Sequence, residues 1–272
     1  MERIAGRPVL CNAPADGLAV IETFGEQAQR DGALIVYTSQ DSVLQIAAHE
    51  AVVPVGELYE LCSRVRELMQ GEHAVGRVIA RPFDGEAGAY ERTPHRRDFA
   101  LPPQSSSHLD ALRAAHVPVH AVGKVSQLFA GAGIDASHPG ATNAEAIAST
   151  TSLLQEIDSG FVFTNLIETD QVYGHRKDVE GFHAALREID AAVGRWQELL
   201  GPDDLLVLTA DHGCDPLHPG TDHTREHAPL LASFAGHGGR RRDGPLADVG
   251  ASVVRWLTGC DAPDLPGRSF VS

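Results

Sequence analysis

The stretch DLLVLTADHG, residues 204–213, joins a run of apolar residues to an Asp–His pair. A short run rich in Leu and Val is typical of a buried strand. Asp211 and His212 follow this run directly. Polar side chains beside a buried strand are costly unless they have partners, so the pair indicates either a cap or a site of chemistry at the strand end.

A second stretch, GFVFTNLIETDQVYGHR at residues 160–176, repeats the pattern, with Asp170 and His175 after an apolar run. His223 follows in the loop GTDHTRE. In open α/β sheets ligands collect at the carboxyl ends of the strands, so we expect both segments to reach one edge of a parallel sheet. Carboxylates and imidazoles are ligands of Mn²⁺ and Zn²⁺. Five such side chains predict two metal ions, which together can clamp the attacking and leaving oxygens in phosphoryl chemistry.

A structural role is the alternative for each of these residues taken alone. Asp211 could cap a helix, and the 14 histidines of the chain make chance neighbours more frequent. The joint pattern, two strand ends with Asp and His plus a further His, favours the metal site.

Strand-like apolar runs alternate with segments of helical spacing along the chain. The predicted strands are residues 33–39, 75–83, 117–123, 160–168, 204–210 and 228–235. The predicted helices are residues 17–32, 41–50, 55–71, 109–116, 141–158, 178–201 and 247–259, with Asp41 or Ser42 near the N-cap of the second. This alternation predicts an α/β protein with a mostly parallel sheet. The Pro- and Gly-rich break near residues 84–106 predicts two lobes, 1–106 and 107–272.

Composition excludes some partners. The net charge of −15 disfavours nucleic acid and anionic membranes, although bound cations can reverse the local field for a phosphorylated substrate. No apolar run approaches the roughly 18–20 residues of a membrane span. The four cysteines fit neither a CxxC site nor a compact disulfide framework, so we expect a cytoplasmic protein.

The segments TNLIETDQVYGHRKDVEGFHAAL and TADHGCDPLHPGTDHTREHAPLL resemble the metal-site segments of the bacterial phosphopentomutase family, in the alkaline phosphatase superfamily. GALIVYTSQDSVLQIAAHE, ERTPHRRDFAL and AVGKVSQLFAGAGI resemble further segments of that family. The resemblance runs from about Arg7 to the C-terminus. It implies an incomplete alkaline phosphatase-like α/β core at residues 107–272, which would bind metal, and a smaller α/β cap lobe at residues 1–106.

The family interconverts the 1-phosphate and 5-phosphate of ribose or deoxyribose with two divalent ions, usually Mn²⁺, and a phosphorylated threonine. The resemblance implies that Asp170, His175 and His223 hold one ion and that Asp211 and His212 hold the other. It also implies substrate-binding roles for Ser39, Asp41, Arg77, Ile79 and Lys124. The alternatives are a helix cap for Asp41, a core position for Ile79 and a surface charge for Lys124.

Two features of the family have no counterpart that we find in these 272 residues. One is an apolar strand that ends in a metal-binding Asp, and the other is the threonine nucleophile. We therefore expect no catalytic nucleophile, an incomplete second metal site, and weak or no mutase turnover by this chain. We also expect an exposed sheet, because the family's preceding strand is not found here. A complementing chain or self-association would cover it. The alternatives are a homologue that binds a pentose phosphate or a partner without catalysis, and a metal-dependent phosphatase.

Overall fold

The computed structural model describes residues 2–38, 42–220, 223–234 and 242–271. The chain divides into two compact units, residues 1–104 and 105–272. Strands and helices alternate in both, which confirms the α/β class. Within the described residues, no helix is both long and apolar enough to cross a lipid bilayer.

The first unit is built on a six-stranded mixed sheet. Its strands are β1 (Val9–Pro14), β2 (Leu34–Thr38), β3 (Val43–His49), β4 (Arg77–Asp84), β5 (Glu91–Arg92) and β6 (Arg97–Ala100). Its helices are α1 (Glu2–Ala5), α2 (Gly17–Asp31), α3 (Val55–Leu68) and a 3₁₀ turn, Gly71–His73. β1 pairs parallel with β2 and β3 pairs parallel with β4, whereas β2–β3, β4–β5 and β4–β6 are antiparallel.

The two faces of this sheet are covered by different helices. Alternate strand residues such as Val36 and Val78 pack with Leu58 of α3, while Ile35 and Phe83 belong to the cluster with α2. The alternation follows from the two-residue period of a strand. The first unit is therefore a three-layer α/β/α arrangement.

The helix predicted for residues 41–50 does not form over the described part of that range, because Val43–His49 is strand β3. Its Leu, Gln and Ala residues favour a helix by local propensity. The segment instead lies between β2 and β4, and six of its seven residues, all except Leu44, are buried. Burial on both faces overrides local propensity here. The predicted irregular segment 84–106 also contains two short strands, β5 and β6.

The second unit contains a three-stranded parallel sheet in the order β8-β7-β9. Its strands are β7 (Val119–Val122), β8 (Ala136–His138) and β9 (Phe161–Thr164). Its helices are α4 (His108–Ala114), α5 (Val125–Leu128), α6 (Asn143–Glu156), α7 (Val179–Leu199) and α8 (Ala247–Thr258). α4 and α8 pack with β7 in one cluster, and α6 packs with β7 and β9 in another.

A separate antiparallel pair, β10 (Leu206–Thr209) and β11 (Leu230–Ser233), completes the second unit. We expected the two Asp–His segments to leave one parallel sheet. In the described residues β9 and β10 lie in different sheets, so this part of the prediction is wrong. The two segments meet through the loops that follow these strands.

Candidate functional site

A π-helical turn, Thr169–Gly174, carries the first predicted ligand pair. The backbone N–H of His175 donates to the carbonyl of Asp170 at 3.1 Å, which closes the wide turn. This closure brings His175 Nε2 within 3.4 Å of Asp170 Oδ1. Single π turns of this kind occur frequently at functional sites.

The second segment folds back on itself so that His212 and His223 meet. Gly213 and Thr224 form an isolated antiparallel bridge, and the N–H of Asp215 donates to Thr224 Oγ1 at 2.9 Å. These contacts place the two imidazole rings in a stack, with centroids 3.5 Å apart.

The two segments converge on the carboxylate of Asp170. His223 Nε2 lies 3.3 Å from Asp170 Oδ1, and one ligand atom from each of Asp170, His212 and His223 falls within 4.8 Å of the others. Asp170 Oδ1 is buried and has no hydrogen-bond partner among the described residues. A buried carboxylate oxygen without a hydrogen bond costs free energy unless another partner, such as a cation, neutralises it. The donor set therefore fits a divalent metal ion.

Asp211 lies at the rim of this group. Its side chain is 82% exposed, and its Oδ1 lies 3.6 Å from His212 Nε2. The structure thus brings all five predicted metal ligands into one contiguous group. Within that group His212 lies with Asp170 and His223, whereas the resemblance pairs it with Asp211.

Cys214 packs against the π-helical turn, a contact that the sequence pattern did not indicate. A Cβ on Gly174 would meet the Cys214 thiol and would lie 2.7 Å from the carbonyl of Thr169. Burial raises the pKa of the Cys214 thiol, and the charges of Asp170 and Asp215 raise it further. The protonated thiol supports the turn beside the ligands.

The predicted substrate residues fall in different places. Lys124 Nζ donates to Gln171 Oε1 at 2.6 Å, which places it against the π-helical turn Thr169–Gly174. Arg77 and Ile79 lie on β4 of the first unit, where Ile79 is 2% exposed. Ser39 and Asp41 lie outside the described residues.

A row of aligned side chains, all polar except Ile79, crosses the first unit's sheet on the face that α2 covers in part. Tyr37, Gln45, Ile79 and Asp98 are aligned across β2, β3, β4 and β6. Arg81 shares this face because it is two residues from Ile79 on the same strand.

Four arginines surround this row, and we call them the basic face: Arg77, Arg81, Arg92 and Arg96. Arg96 makes two bonds to the carboxylate of Asp98, at 2.7 and 2.8 Å, and Arg77 approaches it at 3.5 Å. The Asp98 carboxylate thus pairs with two guanidinium groups, those of Arg96 and Arg77. The alternation of Arg77, Ile79 and Arg81 in a predicted strand is the sequence signal for this face.

Arg81 and Arg92 each donate a hydrogen bond to an uncharged side chain. Arg81 Nε donates to Gln45 at 3.0 Å, and Arg92 Nη2 donates to Tyr37 Oη at 3.2 Å. Burial, together with the nearby charges of Arg96 and Arg92, lowers the pKa of Arg81 to about 10. Arg92 Nε is buried without a hydrogen-bond partner among the described residues. An anion would satisfy both the charge and the unused donor.

The fold and the site together define a metal-dependent enzyme class. The sequence profile of the Metalloenzyme superfamily matches residues 19–258. The phosphopentomutase of Caldanaerobacter subterraneus is 51% identical over 231 residues, which are 85% of this chain and 58% of the relative. Those of Dictyoglomus thermophilum and Lachnoclostridium phytofermentans are each 44% identical, over 100% and 99% of this chain and 69% and 70% of the relatives.

The chain belongs to the phosphopentomutase family of metalloenzymes, as the resemblance predicted. It spans 58% of the Caldanaerobacter relative, which is less than two thirds of that protein's length.

Proposed function

We propose that this chain provides the metal centre and the sugar-phosphate contacts of a phosphopentomutase. The reaction is the interconversion of ribose or deoxyribose 1-phosphate and 5-phosphate, with Mn²⁺ as the metal and the cytoplasm as the location. The observation that carries the proposal is the convergence of three imidazoles, those of His175, His212 and His223, on the carboxylate of Asp170, whose Oδ1 is buried.

Asp170 and His223 would hold the first ion, with His175 as the further ligand that the family resemblance assigns. His212 and Asp211 would contribute to the neighbouring ion. A bound divalent ion polarises phosphoryl oxygens and stabilises the charge that develops during phosphoryl transfer. The imidazoles must be neutral to bind a metal, so metal affinity should fall at acidic pH.

The basic face would receive the phosphate of the substrate. Guanidinium groups match phosphate oxygens with paired donors, and Arg92 has an unused buried donor. In this proposal residues 1–106 form the substrate-binding cap and residues 107–272 the metal-binding core. Lys124, which donates to Gln171 of the π-helical turn, would be a further substrate-binding residue, as the family resemblance implies.

The test is Mn²⁺ binding by the purified 272-residue chain, measured by the loss of the free-Mn²⁺ electron paramagnetic resonance signal and by elemental analysis. We expect at least one tightly held ion in the unaltered chain and its loss in Asp170→Ala. Asp190→Ala is the matched control, because Asp190 is an exposed carboxylate on α7 of the same unit.

Retention of the ion in Asp190→Ala together with its loss in Asp170→Ala would support the proposal. Absence of binding by the unaltered chain, or equal binding by Asp170→Ala, would overturn the proposed metal centre.

A further inference from the structure

Asn143 and Glu168 exchange two hydrogen bonds across the second unit. Asn143 is the first residue of α6 and is fully buried, at 0% exposure. Its backbone N–H donates to Glu168 Oε2 at 2.7 Å, and its Oδ1 accepts from the Glu168 N–H at 3.2 Å. The pair therefore fixes both the side chain and the main chain of Glu168.

Glu168 is the residue from which the metal-binding turn begins. It directly precedes the π-helical turn Thr169–Gly174 and is two residues from Asp170. A shift of the Glu168 main chain would move Asp170 relative to the imidazoles, since the chain between them is a single tight turn.

Helix α6 has capping bonds of its own besides the one to Glu168. Thr142 is its N-cap and accepts from the N–H of Glu145 at 3.2 Å, and the Glu145 carboxylate accepts from Ala141 N–H at 2.7 Å. The Glu168 carboxylate accepts from the first-turn N–H of Asn143 and so also stabilises the start of the helix. Capping does not explain the second bond, in which Asn143 Oδ1 accepts from the Glu168 N–H.

The buried amide also carries a cost that helix stability does not explain. Asn143 Nδ2 has no hydrogen-bond partner among the described residues. A buried unpaired donor lowers stability, and Ala is a better helix former at such a position. The bond that Asn143 makes at this position is the one in which its Oδ1 accepts from the Glu168 N–H.

We propose that Asn143 is a positioning residue of the metal centre, and that it acts by holding Glu168 so that Asp170 faces the imidazoles. This inference rests on the proposed metal centre. Groups that orient metal ligands from behind commonly change metal affinity about 10- to 100-fold when removed. We therefore expect a loss of at least about tenfold in Mn²⁺ affinity from Asn143→Ala and from Glu168→Ala.

The experiment measures Mn²⁺ affinity by calorimetry and urea unfolding of the metal-free protein for each variant. Glu168→Gln keeps an acceptor oxygen and the main-chain N–H, so it should retain most of the affinity. The matched control is Thr150→Val on the same helix. Thr150 is 6% exposed, and its hydroxyl bonds to Ala146 and to Thr164 of β9, away from the turn.

Weaker binding in Asn143→Ala and Glu168→Ala, with near-normal binding in Glu168→Gln and Thr150→Val, would support the positioning role. Unchanged affinity in Glu168→Ala would overturn it, as would an equal loss in Thr150→Val. If Asn143→Ala does not fold, the comparison of the two Glu168 variants decides the matter. If the unaltered chain binds no Mn²⁺, the proposed metal centre fails and this inference fails with it.

Discussion

Gly174 lies between the main chain of the π-helical turn and the thiol of Cys214. At the scale of the residue, the packing of this turn requires that Gly174 has no side chain. A Cβ at Gly174 would meet Cys214, whose side chain can move, and the carbonyl of Thr169, which belongs to the turn itself. Added volume at such a contact forces backbone shifts.

We predict that Gly174→Ala lowers the free energy of unfolding by about 1–3 kcal/mol and weakens Mn²⁺ binding, because added volume in a packed site typically costs this much. Urea unfolding of the metal-free protein measures the first effect, and calorimetry measures the second. Adding Cys214→Ala should restore only part of the loss, since the contact with Thr169 remains. Gly194→Ala in α7 is the control, because nothing lies within 4 Å of its Cβ, and it should be neutral or stabilising. A Gly174→Ala protein as stable as the parent would contradict this account.

The five candidate metal ligands could be predicted from the sequence, because Asp and His after apolar runs are typical of chemistry at strand ends. The grouping of these five residues could not be predicted, because it depends on the fold of the loop that the Gly213–Thr224 bridge closes. The contact between Cys214 and Gly174 could not be predicted either, because these residues are 40 positions apart in the chain.

At the scale of elements, local signals located the capped helices well. Asp16 precedes α2 and accepts hydrogen bonds from Leu18 and Ala19 N–H, and Gly32 ends the helix in the left-handed conformation at φ 64°. Such caps are determined by neighbouring residues and can be predicted from sequence. Strand β3 was predicted as a helix from its local sequence. It forms a strand because it pairs with β2 and β4, and this pairing is not visible in the local sequence.

We predict that Asp16→Ala destabilises the first unit by about 1 kcal/mol at pH 7, the usual cost of losing an N-cap. The hydrogen bonds from Ala19 and Leu18 lower the pKa of Asp16. A lowered pKa gives stability that is present above the ordinary carboxyl pKa of about 3.9 and is lost as the pH falls through the folded-state value. The difference between the parent and Asp16→Ala should therefore shrink below about pH 4.

Urea unfolding at pH 7 and at pH 3 measures this difference. Asp16→Asn should keep most of the cap at pH 7 without a carboxyl titration of its own. A gap between the parent and Asp16→Ala that stays constant down to pH 3 would show that the carboxylate bonds do not stabilise α2.

At the scale of the whole molecule, a net charge of −15 coexists with a local concentration of arginine. Composition alone argues against binding an anion, although bound cations can reverse the local field. The sheet register concentrates four guanidinium groups on one face, with Asp98 as the carboxylate that pairs with Arg77 and Arg96. Charge placement on the sheet therefore carries information that total charge does not.

We predict that Arg92→Gln weakens binding of ribose 5-phosphate by the 272-residue chain about tenfold or more. A hydrogen bond to a charged group contributes about 1.5–3 kcal/mol, and Arg92 has a buried donor free of any hydrogen bond within the described chain. Isothermal titration at two salt concentrations measures the effect, and the parent should lose affinity as salt rises because exposed parts of the interaction are screened.

The matched control is Arg97→Gln. Arg97 is aligned with Ala80 on the opposite face of the sheet, and its guanidinium lies 5.1 Å from the ring centres of Tyr59 and Phe99. Equal losses of ribose 5-phosphate affinity in the two variants would show that only net charge matters. That result would overturn the basic face as the phosphate site.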